Sequence, residues 1–434
     1  MSATVAPLPT RSIAAGVAGN ALEFYDFVTY TFFAVQIGHV FFPAQSAYTS
    51  LMLSLATFGA GFAMRPIGGI VIGRMADRVG RRPAMIFSLL LMGTGMLVVT
   101  VIPSYASIGL AAPALVVLAR MAQGFALGGQ VGSATAFLLE AAPPSQRGVY
   151  TAWQGASQYC AILLGGAVGF LLATLLTPLE LQNYGWRIAF GVGVVAMPFG
   201  LWLLHGVPET LHAPEAGSIT QHEESEWQLW LANRRVIVLG LVTLASATIF
   251  TYLTNYMTTF AESVLHMNTQ IAFAATTVIG VFAIGGCLFG GWLSDRMGRW
   301  PVMVWPRLAY VVVAWPLYWW IVSARSTGVM LGATAVLTFL GTVSFGPFAA
   351  ALTESLPKRI RGSGFGTIYS SSIALFGGTA QLIATWLIHI TGNPLAFTWY
   401  LVASGVCGAV ATAMMEETAP VRLTVPRAAV PLML

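Results

Sequence analysis

Glu23 and Asp26 stand three positions apart in the segment GNALEFYDF, residues 19–27, of a chain that is only 8% charged. On a helix that spacing puts both side chains on one face. Three basic residues, Arg65, Arg120 and Arg307, also interrupt apolar runs. A carboxylate withdrawn from water binds a proton near neutrality, and a guanidinium beside it opposes this, so an acid with a movable arginine can load and release a proton. Ionised groups deep in a bilayer cost ~2.5–3.5 kcal/mol on insertion scales and are functional by default. These residues therefore read as a proton-coupling site at Glu23, Asp26 or both, with Arg65 or Arg120 in reach. The bland alternative is a permanent ion pair that only fixes helix packing. Guanidinium groups also grip carboxylates with two parallel bonds, which points to an organic anion as ligand. Arg307 has a second option, because six residues after Pro301 it can snorkel or pair locally.

The elements that must carry these groups follow from composition. The chain has 434 residues, 57% of them hydrophobic, whereas soluble domains are about 25% charged. Apolar runs of ~20 residues recur along it, each long enough to cross ~30 Å of hydrocarbon as a helix. Twelve are counted, from roughly 12–39 to roughly 395–415, with soft boundaries. The first is too long for a secretory leader and holds two acids, so it reads as an uncleaved span. At ~1.5 Å per residue from Arg11, Glu23 rises about 18 Å, close to the bilayer middle. Cys160, Cys287 and Cys407 all fall within spans, which indicates neither a disulfide nor a metal framework. No histidine falls at a midplane.

The net charge of +5 is not one patch of the kind nucleic acid needs. Most of the basic residues fall on one set of alternating loops, and Arg187 and Arg325 on the other. Basic loops stay in the cytoplasm, so both termini and the central loop are predicted to be cytoplasmic. The loop after the second span, GRMADRVGRR from Gly73, matches the loop after the eighth, GWLSDRMGRW from Gly291; Asp77 and Arg81 correspond to Asp295 and Arg299. After the fourth and tenth spans, EAAPPSQRG and ESLPKRIRG pair Glu140 and Arg147 with Glu354 and Arg361. The chain thus reads as two six-span bundles, 1–205 and 234–417, joined by a solvated or helical stretch 206–233 and followed by a disordered cytoplasmic tail 418–434. Parallel halves of this kind place a ligand near the midplane and rock around it.

Polar stripes mark the helix faces turned from lipid. Arg120, Gln123 and Gln130 make one on the fourth span, Tyr150, Gln154 and Gln158 a second on the fifth, and Tyr252, Asn255, Tyr256 and Thr259 a third on the seventh. Each member serves either ligand binding or bonding between helices.

The repeated G-x-x-x-D-R-x-G-R-R loop and the R-x-x-Q-G at Arg120, Gln123 and Gly124 resemble the major facilitator superfamily. GNALEFYDF, the RPIGG from Arg65 and the WRIAF from Trp186 resemble its metabolite:proton symporters, and AWQGASQ from Ala152 resembles the citrate and tricarballylate branch. The resemblance implies an all-α membrane fold of twelve helices in two pseudo-symmetric bundles, working by alternating access. It implies a central cavity lined by the stripes, with Asn20 and Tyr369 added to the substrate candidates Arg65, Arg120, Gln123, Gln130, Gln154, Gln158, Tyr252, Asn255 and Tyr256. It further implies an inside gate formed by Asp77, Arg81, Glu140, Asp295, Arg299 and Glu354, with Arg147 and Arg361 from the second repeat. Gln130 departs from the family, which carries a titratable Glu in the GGE run there. Coupling must then pass through the first-span acids or run differently.

The leading expectation is a monomeric inner-membrane importer of a tricarboxylate, driven by protons, without cofactor or metal. Rival readings keep the fold and change the cargo to a dicarboxylate, a shikimate-like acid or a betaine, or make the chain a sensor. Neither a metal-ligand cluster nor a nucleophile motif suggests an enzyme.

Overall fold

A computed structural model describes residues 10–79, 81–128, 135, 138–139, 142–205, 226–357 and 360–423. Some side chains within these helices, among them Glu23, Asp77 and Arg81, lie outside the description, as do residues Gln130 and Glu140 entirely. The described chain is helical, and eight of its helices are long and apolar enough to cross a membrane. Two shorter apolar helices, Ile86–Val101 and Ala111–Leu127, together with the first span and Trp186–His205, complete the twelve. Large apolar side chains such as Val195, Trp202, Trp305 and Val312 point outward, as a surface solvated by lipid rather than water requires.

Helix starts follow capping chemistry. Ser46, Asn268 and Ser326 each accept a backbone N–H of the helix they open, Ala47–Ala63, Thr269–Met297 and Thr327–Val343. Several spans are broken, a feature the periodicity does not announce. The first divides into Thr10–Phe32 and Ala34–Phe41, the second into Ala47–Ala63 and Arg65–Arg78, and the seventh into Arg234–Asn255 and Met257–Ser263. The tenth divides at Ser344, and a π-helical turn, Ile373–Gly377, interrupts the eleventh.

Glycine sets the closest approaches. A Cβ on Gly124 of the fourth span would collide with the carbonyl of Gly61 on the second, so these backbones touch directly. Between the first six spans and the last six, a Cβ on Gly280 would likewise meet the backbone of Leu163. The fifth and eighth spans therefore run against each other along their length. The halves touch at both ends: Gln270 Nε2 donates to Ala173 O at one (3.1 Å), and the Gly148 N–H donates to Asp295 at the other (2.8 Å).

The tail expectation needs a correction. Residues 418–423 are not loose: Thr418 Oγ1 donates to Glu354 (2.6 Å), Arg422 Nε donates to Met297 O (2.9 Å), and Pro420–Leu423 is a helical turn. The cause is Glu417, whose carboxylate accepts the N–H groups of Arg299 (2.8 Å) and Trp300 (3.0 Å) at the start of the ninth span. In the joining stretch, Glu226–Ala232 is helical, and 206–225 lies outside the described residues, as does 424–434.

Candidate functional site

Asp26 is wholly buried on the first span, and the fourth span delivers its partners. Arg120 Nη1 donates to Asp26 Oδ2 at 2.9 Å, Gln123 Nε2 donates to Asp26 Oδ1 at 3.0 Å, and Arg120 Nη1 also donates to Gln123 Oε1 at 2.7 Å. The i, i+3 spacing of Arg120 and Gln123 lets both reach one carboxylate, and the Gly61–Gly124 contact brings the second span close enough to seal them from water. Arg120 still has Nε and Nη2 buried without a hydrogen-bond partner. Aromatic faces take up part of that deficit: the guanidinium lies 4.4 Å from the Phe27 ring and 4.6 Å from the Tyr30 ring.

Phe27 also faces a second buried cation. Arg65 lies 4.7 Å from the same ring and 4.4 Å from Phe62, beside Tyr252 and Tyr369 of the other half. Its Nε and Nη2 are buried without partners, and among the described residues it forms no salt bridge. Between the halves lies a cavity lined by Phe27, Phe58, Gln158, Tyr252, Asn255 and Tyr369, among others. The arginines thus sit one aromatic layer from the cavity wall.

The expected residues divide accordingly. Gln158, Tyr252, Asn255 and Tyr369 converge on the cavity, with Gln158 Nε2 donating to the Tyr369 hydroxyl at 3.0 Å across the halves. Asn255 Oδ1 is buried and unpartnered. Arg120 and Gln123 are committed to Asp26, not to the cavity. Asn20 bridges spans instead, donating to Ser157 Oγ at 2.6 Å. Gln154 is buried with both amide atoms unpartnered but does not line the cavity. Tyr256 turns into the second half, where Thr385 Oγ1 donates to its hydroxyl at 2.9 Å and Phe397 packs edge-on. The Tyr256 N–H still donates to Tyr252 O (3.0 Å), so the helix runs through both tyrosines and they differ in their neighbours, Tyr252 at the cavity and Tyr256 in the packing of the second half. Arg307 neither snorkels nor reaches the cavity; it is buried and donates to Thr412 Oγ1 at 3.2 Å.

At the end carrying the repeated loops, Arg299 is fully buried, 2.6 Å from Asp295 and 3.3 Å from Glu354. Asp295 crosses to the first half, where it accepts the N–H groups of Gly148 (2.8 Å) and Val149 (3.0 Å) in the first turn of Arg147–Leu175. A carboxylate on exposed helix N–H groups is favourable for both hydrogen bonding and the helix dipole. Arg147 stands 3.9 Å from Glu354, and Arg361 donates to Thr353 O at 2.8 Å. Asp77, Arg81, Glu140, Gln130 and Glu23 cannot be placed in this scheme, since their side chains lie outside the described residues. Sequence reasoning missed Phe27, Phe62 and Glu417. The aromatics lie one residue after Asp26 and three before Arg65, a signal visible only once the arginines are known to need a partner.

The profile of the Major Facilitator Superfamily matches residues 24–378. The citrate-proton symporter of Klebsiella pneumoniae is 37% identical over 431 residues, covering 98% of this chain and 96% of that protein. The alpha-ketoglutarate permease of Escherichia coli (strain K12) is 32% identical, covering 94% and 93%. Among solved structures, a D-xylose-proton symporter superposes with a TM-score of 0.75 at 18% identity, covering 95% of this chain and 98% of that one. Twelve spans, repeated charged loops and matches over almost the full length agree, and the chain belongs to the Major Facilitator Superfamily as a multi-pass membrane transport protein.

Proposed function

We propose that this protein imports citrate, or a closely similar tricarboxylate, together with protons by alternating access. The observation that carries the reading is the Asp26–Arg120–Gln123 cluster lying one aromatic ring from Arg65, a second buried arginine that forms no salt bridge among the described residues. The relatives named citrate-proton symporters, at 37% and 36% identity, support the cargo.

The mechanism follows from the bonds available. A substrate carboxylate entering the cavity supplies the acceptor that Arg65 Nε and Nη2 lack. Gln158, Tyr252, Asn255 and Tyr369 offer hydroxyl and amide groups to its remaining oxygens. Both arginines stack on Phe27, so engaging Arg65 shifts the ring and with it Arg120. Drawing Arg120 from Asp26 removes the charge that keeps the acid ionised, and Asp26 takes a proton. Substrate and proton then travel together because each removes an obstacle to burying the other.

The division into bundles 1–205 and 234–417, joined at 206–233, gives the rocking bodies. Both termini face the cytoplasm of a cell with an inner membrane. On that orientation the Asp295, Arg299 and Glu354 cluster is the inside gate, and Asp295 is its principal link between the halves.

The test is uptake of labelled citrate by proteoliposomes with an alkaline interior. Accumulation above equilibration that collapses with a protonophore is the expected result. No gradient-driven accumulation of any tricarboxylate would remove the reading. Competition by alpha-ketoglutarate at lower concentration than citrate would reassign the cargo to a dicarboxylate.

A further inference from the structure

At the end of the molecule opposite the repeated loops, Gln36 lies in Ala34–Phe41 of the first span and Glu262 in Met257–Ser263 of the seventh, so a bond between them joins the halves. Gln36 Nε2 donates to Glu262 Oε2 at 3.4 Å. The remaining oxygens of the pair, Gln36 Oε1 and Glu262 Oε1, are both sealed from solvent without a hydrogen-bond partner. An ionised carboxylate and an amide carbonyl are acceptors only, so neither oxygen can satisfy the other. One proton mends both deficits. Protonated Glu262 Oε1 donates to Gln36 Oε1 while Gln36 Nε2 donates to Glu262 Oε2, a closed reciprocal pair.

We propose that Glu262 is a second proton-binding residue of the transport cycle and that, when protonated, it latches the outer end shut through Gln36. The inference rests on the orientation and alternating access given above. The proton it takes comes from the outer medium and returns there on reopening, so it governs closure and is not cargo. Thr269 borders the carboxylate. The elements packed on this helix carry His39, which is exposed, and Tyr30 and Asp26 deeper in the first span. Tyr252 and Tyr256 lie below it in the seventh, and exposed His266 follows it; Cys287, Asp295 and Arg296 lie toward the far end of the eighth. On these elements no described Lys or Arg stands at this end to hold Glu262 ionised. The sign is therefore fixed: acid outside favours the closed end and alkali favours the open one.

The full-length protein in liposomes, with native cysteines replaced and spin labels at exposed Gln45 and Thr327, reports the outer distance as external pH is raised. In otherwise unaltered protein the open fraction rises by up to about tenfold per pH unit, the limit for one linked proton. Glu262→Gln, a permanent mimic of the protonated acid, stays closed throughout. Gln36→Met removes the pH response by removing the partner. A response unchanged by both substitutions would overturn the latch, and should one variant fail to insert, the other decides alone. Asp26→Asn separates the two proposals: it is expected to lose gradient-driven accumulation yet keep the distance response. If it keeps accumulation, the reading of Asp26 falls, while the distances still judge Glu262.

Discussion

Arg120 and Arg65 stack on the same ring at nearly the same range, 4.4 and 4.7 Å from Phe27, yet their company differs. Arg120 has a resident acid at 2.9 Å; Arg65 has aromatic faces, tyrosines of the opposite half and two idle N–H donors. A buried charge missing its counter-ion is costly, and aromatic faces repay only about 0.5–2 kcal/mol. The contrast sets a cation whose counter-ion lies within the chain against one that has none among the described residues. On the proposed function the second is balanced by what the chain binds, and the shared ring links the two states.

Four substitutions break or sharpen that contrast. Asp26→Asn has the largest expected effect: counterflow of citrate persists, while accumulation under a pH gradient falls to the equilibrated level, as paired uptake and exchange assays would register. Arg65→Gln replaces the charged fork offered to the ligand with a shorter neutral amide; charge-assisted bonds of about 1.5–3 kcal/mol correspond to an apparent affinity weaker by about 10–100-fold, read by calorimetric titration. Asp295→Asn leaves the arginine pair untouched and loosens the far end instead. Its loss of about 1–2 kcal/mol of bonding to Gly148 and Val149 shifts the inner opening by about 5–30-fold, visible as faster labelling of a cysteine placed near the gate. Phe27→Leu is the mildest. About 0.5–1 kcal/mol of cation–π attraction is lost at each arginine, so binding changes by about two- to fivefold while the ratio of protons to citrate becomes looser, measured as reversal potential.

Much of this arrangement is legible in the residues, because charge in an apolar run has few places to go. Asp26, Arg120 and the repeated Asp295 and Arg299 all declare themselves by that economy. Tyr252 and Tyr256 show where it stops: equal spacing implies one role, yet Tyr252 lines the cavity while Tyr256 is held in the helical packing by Thr385 and Phe397. Gln123 and Asn20 read as ligand groups, and in this structure they bond to Asp26 and Ser157, since an amide serves either role with the same atoms. Glu417 and Glu262 stand at the ends of spans, where an acid looks like ordinary loop chemistry until the fold lays another helix against it.

The linkage between citrate and the proton on Asp26 is tested most directly by infrared difference spectroscopy of the otherwise unaltered protein in lipid, recorded as citrate is added. The account predicts that a protonated-carboxyl band appears on binding and is absent once Asp26→Asn is present. A band that survives Asp26→Asn unchanged would contradict it.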